Sequence, residues 1–391
     1  MKILQINNYT YNRGGAETVF FSLVELLRSK NHNIITVGKY NDNSPPKVDY
    51  LISESQFFFN RFYSFKSKLI LEKILSDQKP EIVHIHNIIG GITFSILPVI
   101  KRYRIPIVAS IHDFRLLCPV GIFVNGKKEI CEKCKVGKYY EGILNKCSPD
   151  GYLKSSIVVS ESYLRDLFFP HSKFFDAYLF VSEFTKQKFL EYYPEIESKS
   201  YVLYNFTNTF SFTRKRGDYF LYFGRLDREK GLLTLLKAFS QLKNIKIIIL
   251  GSGPFAKLIE QFNSNKNIEY LGFKTGAELR ELIENSQYVI IPSECYETLS
   301  MSAVEALSLS KPIITSGLGG LKELLDDGNN GFIFEPGNFK SLKEVIIKAY
   351  SITDEEYFRM SESCFEYAKK HFDKENYYQK LISVYQSLVK N

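Results

Sequence analysis

No window of this 391-residue sequence holds eighteen uninterrupted apolar residues, so no segment reads as a transmembrane helix. Low-complexity tracts are missing, and the chain opens on the strand-like KILQI rather than on a signal peptide. A cytoplasmic protein is the expectation. Neither a phosphate-binding loop ending in GK[ST] nor a serine nucleophile elbow occurs, and there is no recognisable nucleic-acid-binding module. The hydrophobic fraction of 45% and charged fraction of 24% are those of a globular chain, long enough for two domains of nearly equal size.

The formal charge of +8 is unevenly placed, because residues 1–205 hold 27 Lys and Arg against 20 Asp and Glu while the remainder is nearly balanced. Such a field attracts anions: a lipid phosphate, an anionic membrane surface or a nucleic acid. The segment Gln56–Leu75 interleaves aromatics with Arg61, Lys66, Lys68 and Lys73. That pattern suits an interfacial helix, and equally an ordinary helix whose aromatic stripe faces a core.

Short apolar strands alternate with helical patterns: KILQI, EIVHIH, IPIVASIH, AYLFVS and YVLY in the first half, then YFLYFG, KIIIL, IEYLGF, YVIIP, PIITS and GFIF. Alternation of this kind predicts parallel sheets wrapped on both faces, hence an α/β fold of two doubly wound domains. The polar stretch Asn205–Asp218 reads as the linker, and the chain beyond Asp354 as helical with a break near His371–Asp373.

Candidate chemistry concentrates between Ile290 and Gly331. Glu297 and Glu305 stand eight residues apart around the start of a predicted helix that follows an apolar strand. Free N–H groups at such a helix start hold anions, so a phosphate would sit on Leu299, Ser300 and Met301 with a carboxylate on either side for hydroxyls. Eight residues of helix rise about 12 Å, whereas retaining glycosidases hold their carboxyls about 5–5.5 Å apart. The pair is therefore not a hydrolytic dyad. Upstream, Gly224, Arg225 and Lys230 in YFGRLDREKG put two cations beside a strand-to-helix turn, which suits a diphosphate without a metal; a solvated basic loop is the plainer alternative. Gly251 in LGSGP lets backbone approach a ligand, or simply turns. In the first half, Gly14 and Gly15 of NRGGAE leave room for a phosphate, and His112 of SIHDFRLLCP ends a central strand, where it can donate one hydrogen bond and accept another. Asp113 beside it either holds His112 or meets an acceptor, and His84 and His86 have weaker claims. Cys118, Cys131, Cys134 and Cys147 follow a C-x12-C-x2-C-x12-C spacing. It is compatible with a structural zinc, with unpaired thiols, or with an iron–sulfur or redox arrangement.

As an ordered set, Pro-Ser, Glu-x7-Glu, Glu-Ala, Lys-Pro-Ile-Ile, Gly-Gly and Glu323 resemble the donor-binding signature of retaining glycosyltransferases of family 4, which have the GT-B fold. The resemblance implies two Rossmann-like domains facing a cleft: an acceptor-binding domain over 1–205 with a cysteine-rich insert at 118–150, a nucleotide-sugar-binding domain over 206–375, and a helix, 376–391, returning to the first. It implies a UDP- or GDP-sugar donor, a glycan or lipid-linked glycan acceptor, and retention by front-face attack guided by the leaving phosphate, with no catalytic divalent metal. Residue by residue it assigns Arg225 and Lys230 to the diphosphate, Glu305 to the ribose, Glu297 to the sugar hydroxyls and His112 to the transferred sugar. Thr298-Leu299-Ser300-Met301 departs from the aromatic and glycine of many members. Residence on the inner face of the cell membrane is an expectation beside the cytoplasm, and a nucleic-acid partner is not expected. A sugar-nucleotide epimerase on the same fold and a non-enzymatic zinc-containing nucleic-acid binder are the alternatives.

Overall fold

The structure, a computed structural model, describes residues 1–11, 14–39, 47–52, 58–212, 214–262 and 264–390, without the side chains of Phe58, Phe59 and Val136. Asn12 and Arg13 of the glycine-rich loop, and Gln56 and Phe57 of the aromatic stretch, lie outside them. The chain divides into two compact units, one of Met1–Leu203 with Glu375–Asn391 and one of Tyr204–Lys374.

The first unit is built on seven parallel strands: β1 (Lys2–Asn7), β2 (Asn33–Lys39), β3 (Tyr50–Ile52), β4 (Ile82–Asn87), β5 (Ile107–Ile111), β6 (Ala177–Phe180) and β7 (Ser200–Val202). Their order is β3-β2-β1-β4-β5-β6-β7, so the strand order reverses between β1 and β4. The second unit has β8 (Tyr219–Phe223), β9 (Lys246–Leu250), β10 (Ile268–Tyr270), β11 (Tyr288–Ile291), β12 (Ile313–Thr315) and β13 (Gly331–Ile333). Its order is β10-β9-β8-β11-β12-β13, with the reversal between β8 and β11. Strands covered on both faces need apolar side chains throughout rather than in alternation, which is what KIIIL and YVII supply. Where the order reverses, adjacent connections leave in opposite directions and open a crevice at the strands' C-terminal ends.

Helices close each sheet. Leu232, Leu235, Leu236 and Phe239 of the helix Leu232–Phe239 pack into one core with Phe220, Ile247, Ile249 and Tyr288. The last helix, Lys374–Val389, buries Tyr377, Leu381, Ile382, Val384 and Tyr385. It is tied to the first unit by Tyr378, whose hydroxyl lies 2.9 Å from His32 Nε2, and by Glu375, paired with Lys30 at 2.5 Å. Only Asp373 separates it from the helix Asp354–Phe372, which begins in a reciprocal Thr353–Glu356 cap. No helix among the described residues is long and apolar enough to cross a membrane.

The aromatic stretch is not one continuous helix. A 3-10 turn, Phe58–Arg61, is followed by a separate helix, Phe65–Gln78, that Ser64 starts by accepting the Ser67 N–H at 2.9 Å. Leu71, Ile74 and Leu75 face the core, while Phe65 and Leu69 are exposed.

Glycine is obligatory at Gly231, which has φ +72° and would place a Cβ 1.8 Å from the Pro292 carbonyl oxygen. Gly231→Ala should destabilise the second unit by about 2–4 kcal/mol. Urea unfolding followed by circular dichroism measures this, and a loss under 1 kcal/mol would show that the turn can shift.

Candidate active site

Four segments of the second unit meet at its strand reversal. Beyond β8, Gly224 leads into Arg225, whose Nε donates to Asp227 Oδ2 at 2.7 Å, with Glu229 at 3.8 Å. The guanidinium is still more than half exposed. Two acidic neighbours thus aim a cation while leaving its outer face open. Asp227 is a site residue that the sequence reading passed over; an acid two residues beyond an arginine in a tight turn was the available signal.

Lys230 ends a 3-10 turn and reaches the segment after β11, where its Nζ lies 2.6 Å from Glu297 Oε1. Ser293 Oγ donates to the same oxygen at 2.5 Å. Burial opposes both charges, but the pairing outweighs it: Glu297 is held below the usual carboxylate range and Lys230 above the usual amine range. The Glu297 backbone is pinned as well, its carbonyl accepting Gly320 N–H at 2.7 Å. Gly319, at φ +67°, passes so near that a Cβ there would lie 2.5 Å from that carbonyl oxygen.

Helix Met301–Ser308 begins next, with Ser300 as its cap and Ser302 Oγ donating to the Phe223 carbonyl at 2.8 Å. That bond joins the helix start to the end of β8. First-turn N–H groups have no intrahelical partner, so this terminus presents donors between Glu297 and Glu305. The Glu305 carboxyl makes no hydrogen bond or ion pair among the described residues, and burial alone pushes it up to about 7. Gly251 has an internal reason to be glycine: at φ +137° its Cβ would meet the Gly224 carbonyl oxygen at 1.9 Å. Glu323 is engaged by Tyr204, whose hydroxyl donates to it at 2.7 Å.

In the first unit the ends of β1, β4 and β5 carry a buried chain of hydrogen bonds. Burial holds His84, His86 and His112 neutral, lowering His84 to about 3 and His112 to about 4, with neighbouring imidazoles adding to the effect at His84 and His86. Gln5 Oε1 can only accept, so His86 donates to it from Nε2 at 2.9 Å. The bare His86 Nδ1 then accepts from His112 Nε2–H at 3.0 Å, with the two rings stacked. On the far side Tyr385 donates to His84 Nδ1 at 2.6 Å, and His84 Nε2 donates to Ser110 at 2.8 Å. His112 is therefore fixed in one tautomer by Gln5 of β1 acting through His86 of β4. Asp113 is committed to Arg115, accepting its N–H at 2.9 Å and its Nε–H at 2.8 Å, and this outweighs burial to keep the carboxyl ionised. Gly14 and Gly15 open the helix Gly15–Ser29; Gly14 is extended, and the nearest described atom to a Cβ there would be 3.7 Å away.

The zinc expectation is corrected. Among the described residues no group of three or more His, Cys, Asp or Glu could hold a metal. Cys118, Cys131, Cys134 and Cys147 are near enough for Cys134 and Cys147 to have their ionisation opposed by the others. Cys134 packs as an apolar residue with Tyr139 and Val159, and Cys118 is buried where the backbone N–H groups of residues 120–123 point at its sulfur. Burial pushes the Cys134 and Cys147 thiols up, Cys147 to about 11.

Residues 13–209 match the family described as Glycosyltransferase Family 4, and residues 207–371 match Glycosyl transferases group 1. The chain belongs to glycosyltransferase family 4. A 42.6 kDa protein in the cps region of Klebsiella pneumoniae is 25% identical to this family 4 chain over 355 residues, covering 83% of it and 87% of the relative. The lipopolysaccharide 1,2-N-acetylglucosaminetransferase of Salmonella typhimurium is 29% identical over 158 residues, 36% of this chain and 41% of that enzyme. In structure the chain is similar to Anabaena HepE, solved with UDP and glucose, at a TM-score of 0.69 and 17% identity over 99% of this chain and all of that one. The fold is GT-B, and the protein is a glycosyltransferase related to enzymes of cell-surface polysaccharide synthesis.

Because the folded Glu305 carboxyl binds its proton up to about pH 7 while the unfolded one releases it near 4.5, charging it costs stability as pH rises through that window. Glu305→Gln should match the parent near pH 4.5 and exceed it by roughly 1–3 kcal/mol at pH 8 in urea unfolding; parallel stability curves would contradict the assignment. For His112, nitrogen-15 spectra at pH 6 should show a neutral ring protonated on Nε2, and imidazolium there would break the proposed chain.

Proposed function

We propose that this family 4 glycosyltransferase moves a sugar from a nucleoside diphosphate sugar, with UDP or GDP as carrier, to a glycan or lipid-linked glycan in cell-surface polysaccharide or glycolipid synthesis, with retention at the anomeric carbon. The observation that carries the reading is the set of Arg225, Lys230, Glu297 and Glu305 around one helix N-terminus at the strand reversal of the second unit. In this reading the amides of Leu299, Ser300 and Met301 take the distal phosphate, and Glu305 accepts the ribose hydroxyls. Bringing a diphosphate to Lys230 loosens that lysine from Glu297, which then accepts hydroxyls of the donor sugar. Gly224 and Gly251 let backbone approach the nucleotide, and Gly14 and Gly15 leave room for a phosphate at the start of their own helix.

The bond from the anomeric carbon to the phosphate oxygen breaks with its electron pair leaving on the nucleoside diphosphate. The acceptor oxygen attacks from the same face and passes its proton to the departing phosphate. No protein nucleophile is required, and the catalytic contribution is charge stabilisation by Arg225 and Lys230 together with positioning. His112, neutral and with its Nε2 proton engaged by His86, orients the transferred sugar. Family membership favours transfer over the epimerase alternative, and the exposed Phe65 and Leu69 on a lysine-bearing helix support residence on the inner face of the cell membrane.

Calorimetric titration with UDP, GDP, ADP and TDP sugars tests the donor site. One nucleotide class should bind, and Arg225→Ala and Glu305→Ala should each weaken it by about tenfold or more. Binding of none, or unchanged affinity in both variants, would refute the site.

A further inference from the structure

Within the first unit, the helix Tyr152–Phe168 and the 3-10 turn at Phe58–Arg61 wall a cavity of about 330 Å³ that none of the site residues above lines. Phe62, Tyr63, Phe94, Leu164, Phe168 and Phe169 make its surface overwhelmingly apolar. A volume of this order lies at the lower end of what small-ligand sites offer, and an apolar lining selects hydrocarbon over sugar.

Two features give the occupant a polar end. Arg61 lines the wall with Glu161, its Nη2 at 3.7 Å from that carboxylate, while its buried Nε makes no hydrogen bond among the described residues. A buried N–H without an acceptor is uncommon enough to call for one from outside. Next along the chain, the helix Phe65–Gln78 carries Lys66, Lys68 and Lys73, none in an ion pair among the described residues. Apolar side chains are exposed around it: Phe168 is 63% exposed while lining the cavity, Leu167 beside it in sequence is 72% exposed, and Phe65, whose ring lies 4.7 Å from that of the lining Tyr63, is 70% exposed. Exposed apolar side chains in such number mark a contact with something other than water.

We infer that this cavity binds the hydrocarbon chain of an anionic lipid acceptor, with the acidic headgroup at Arg61 and the lysines of the neighbouring helix at the rim. The inference rests on reading the first unit as the acceptor side, and it names the class of acceptor as a lipid phosphate. It assigns Arg61 and Leu164 a part in acceptor binding that the signature motifs do not touch.

The test is calorimetric titration of the full chain with octyl and decyl phosphate below their micelle concentrations, beside inorganic phosphate and decyltrimethylammonium. Decyl phosphate should bind tightest, gaining about fourfold in affinity per added methylene over the octyl compound. Inorganic phosphate should not bind measurably, and the cationic amphiphile should bind more weakly than its anionic counterpart. Leu164→Asp, which puts a charge in the wall, and Leu164→Trp, which fills the space, should each cost tenfold or more. Arg61→Leu should abolish the preference for the anionic headgroup. Equal binding by octyl and decyl chains, or unchanged affinity in both Leu164 variants with thermal midpoints like the parent, would overturn the proposal. Nucleotide-sugar titration of the same samples separates the two readings. Retained nucleotide binding with no alkyl phosphate binding removes the cavity assignment alone, and the converse removes the donor site alone.

Discussion

Every strand in both sheets runs parallel to its neighbours, and this constraint decides where chemistry can happen. Parallel strands deliver all their C-terminal ends to one edge, and each connection must travel over a face, so both faces are spent on packing. Polar side chains are left only the rim of strand ends, and the order reversal opens that rim at one point per sheet. Arg225, Glu297 and the start of the helix Met301–Ser308 lie at such a point in the second unit; Gln5, His86 and His112 lie at the other.

The two rims handle polarity in opposite ways. In the second unit, charges are retained through pairing: Lys230 with Glu297, Arg225 with Asp227 and Glu229. Breaking one partner away from such a buried pair is expensive, so an incoming anion must replace what it displaces. Glu305 is the exception, an acid left without a cation among the described residues. At its histidines the first unit instead removes charge, stringing neutral imidazoles on a hydrogen-bond chain whose direction is set by the Gln5 amide oxygen, which can only accept.

Much of this was legible in the residues. In the second unit β9 and β11 stand out as apolar runs because they are covered on both faces, whereas β10, at the sheet edge, carries Glu269 and is only partly buried. In the first unit, β2 and β3 escaped: NIITVGK mixes Thr36 and Gly38 into its run, and the three residues of β3 are too few to show any period. The candidate site residues of the second unit could be picked out because they cluster within short segments after predicted strands. Partners that depend on distant chain segments could not, such as Tyr385 for His84 across some three hundred residues, or Ser302 for the end of β8. The cysteines misled because spacing reports which thiols could converge, not whether a side chain such as Cys134 is already used as packing.

The final helix carries a consequence for how the protein is made. Its residues belong to the first unit, yet they leave the ribosome only after the whole of the second unit has been synthesised. Until Tyr385 arrives, His84 Nδ1 lacks the hydroxyl that donates to it and the first sheet lacks one of its covering helices. The nascent first unit must therefore wait, incompletely covered, while the second folds, and any stall or truncation before the final helix would strike the unit that was begun earlier of the two.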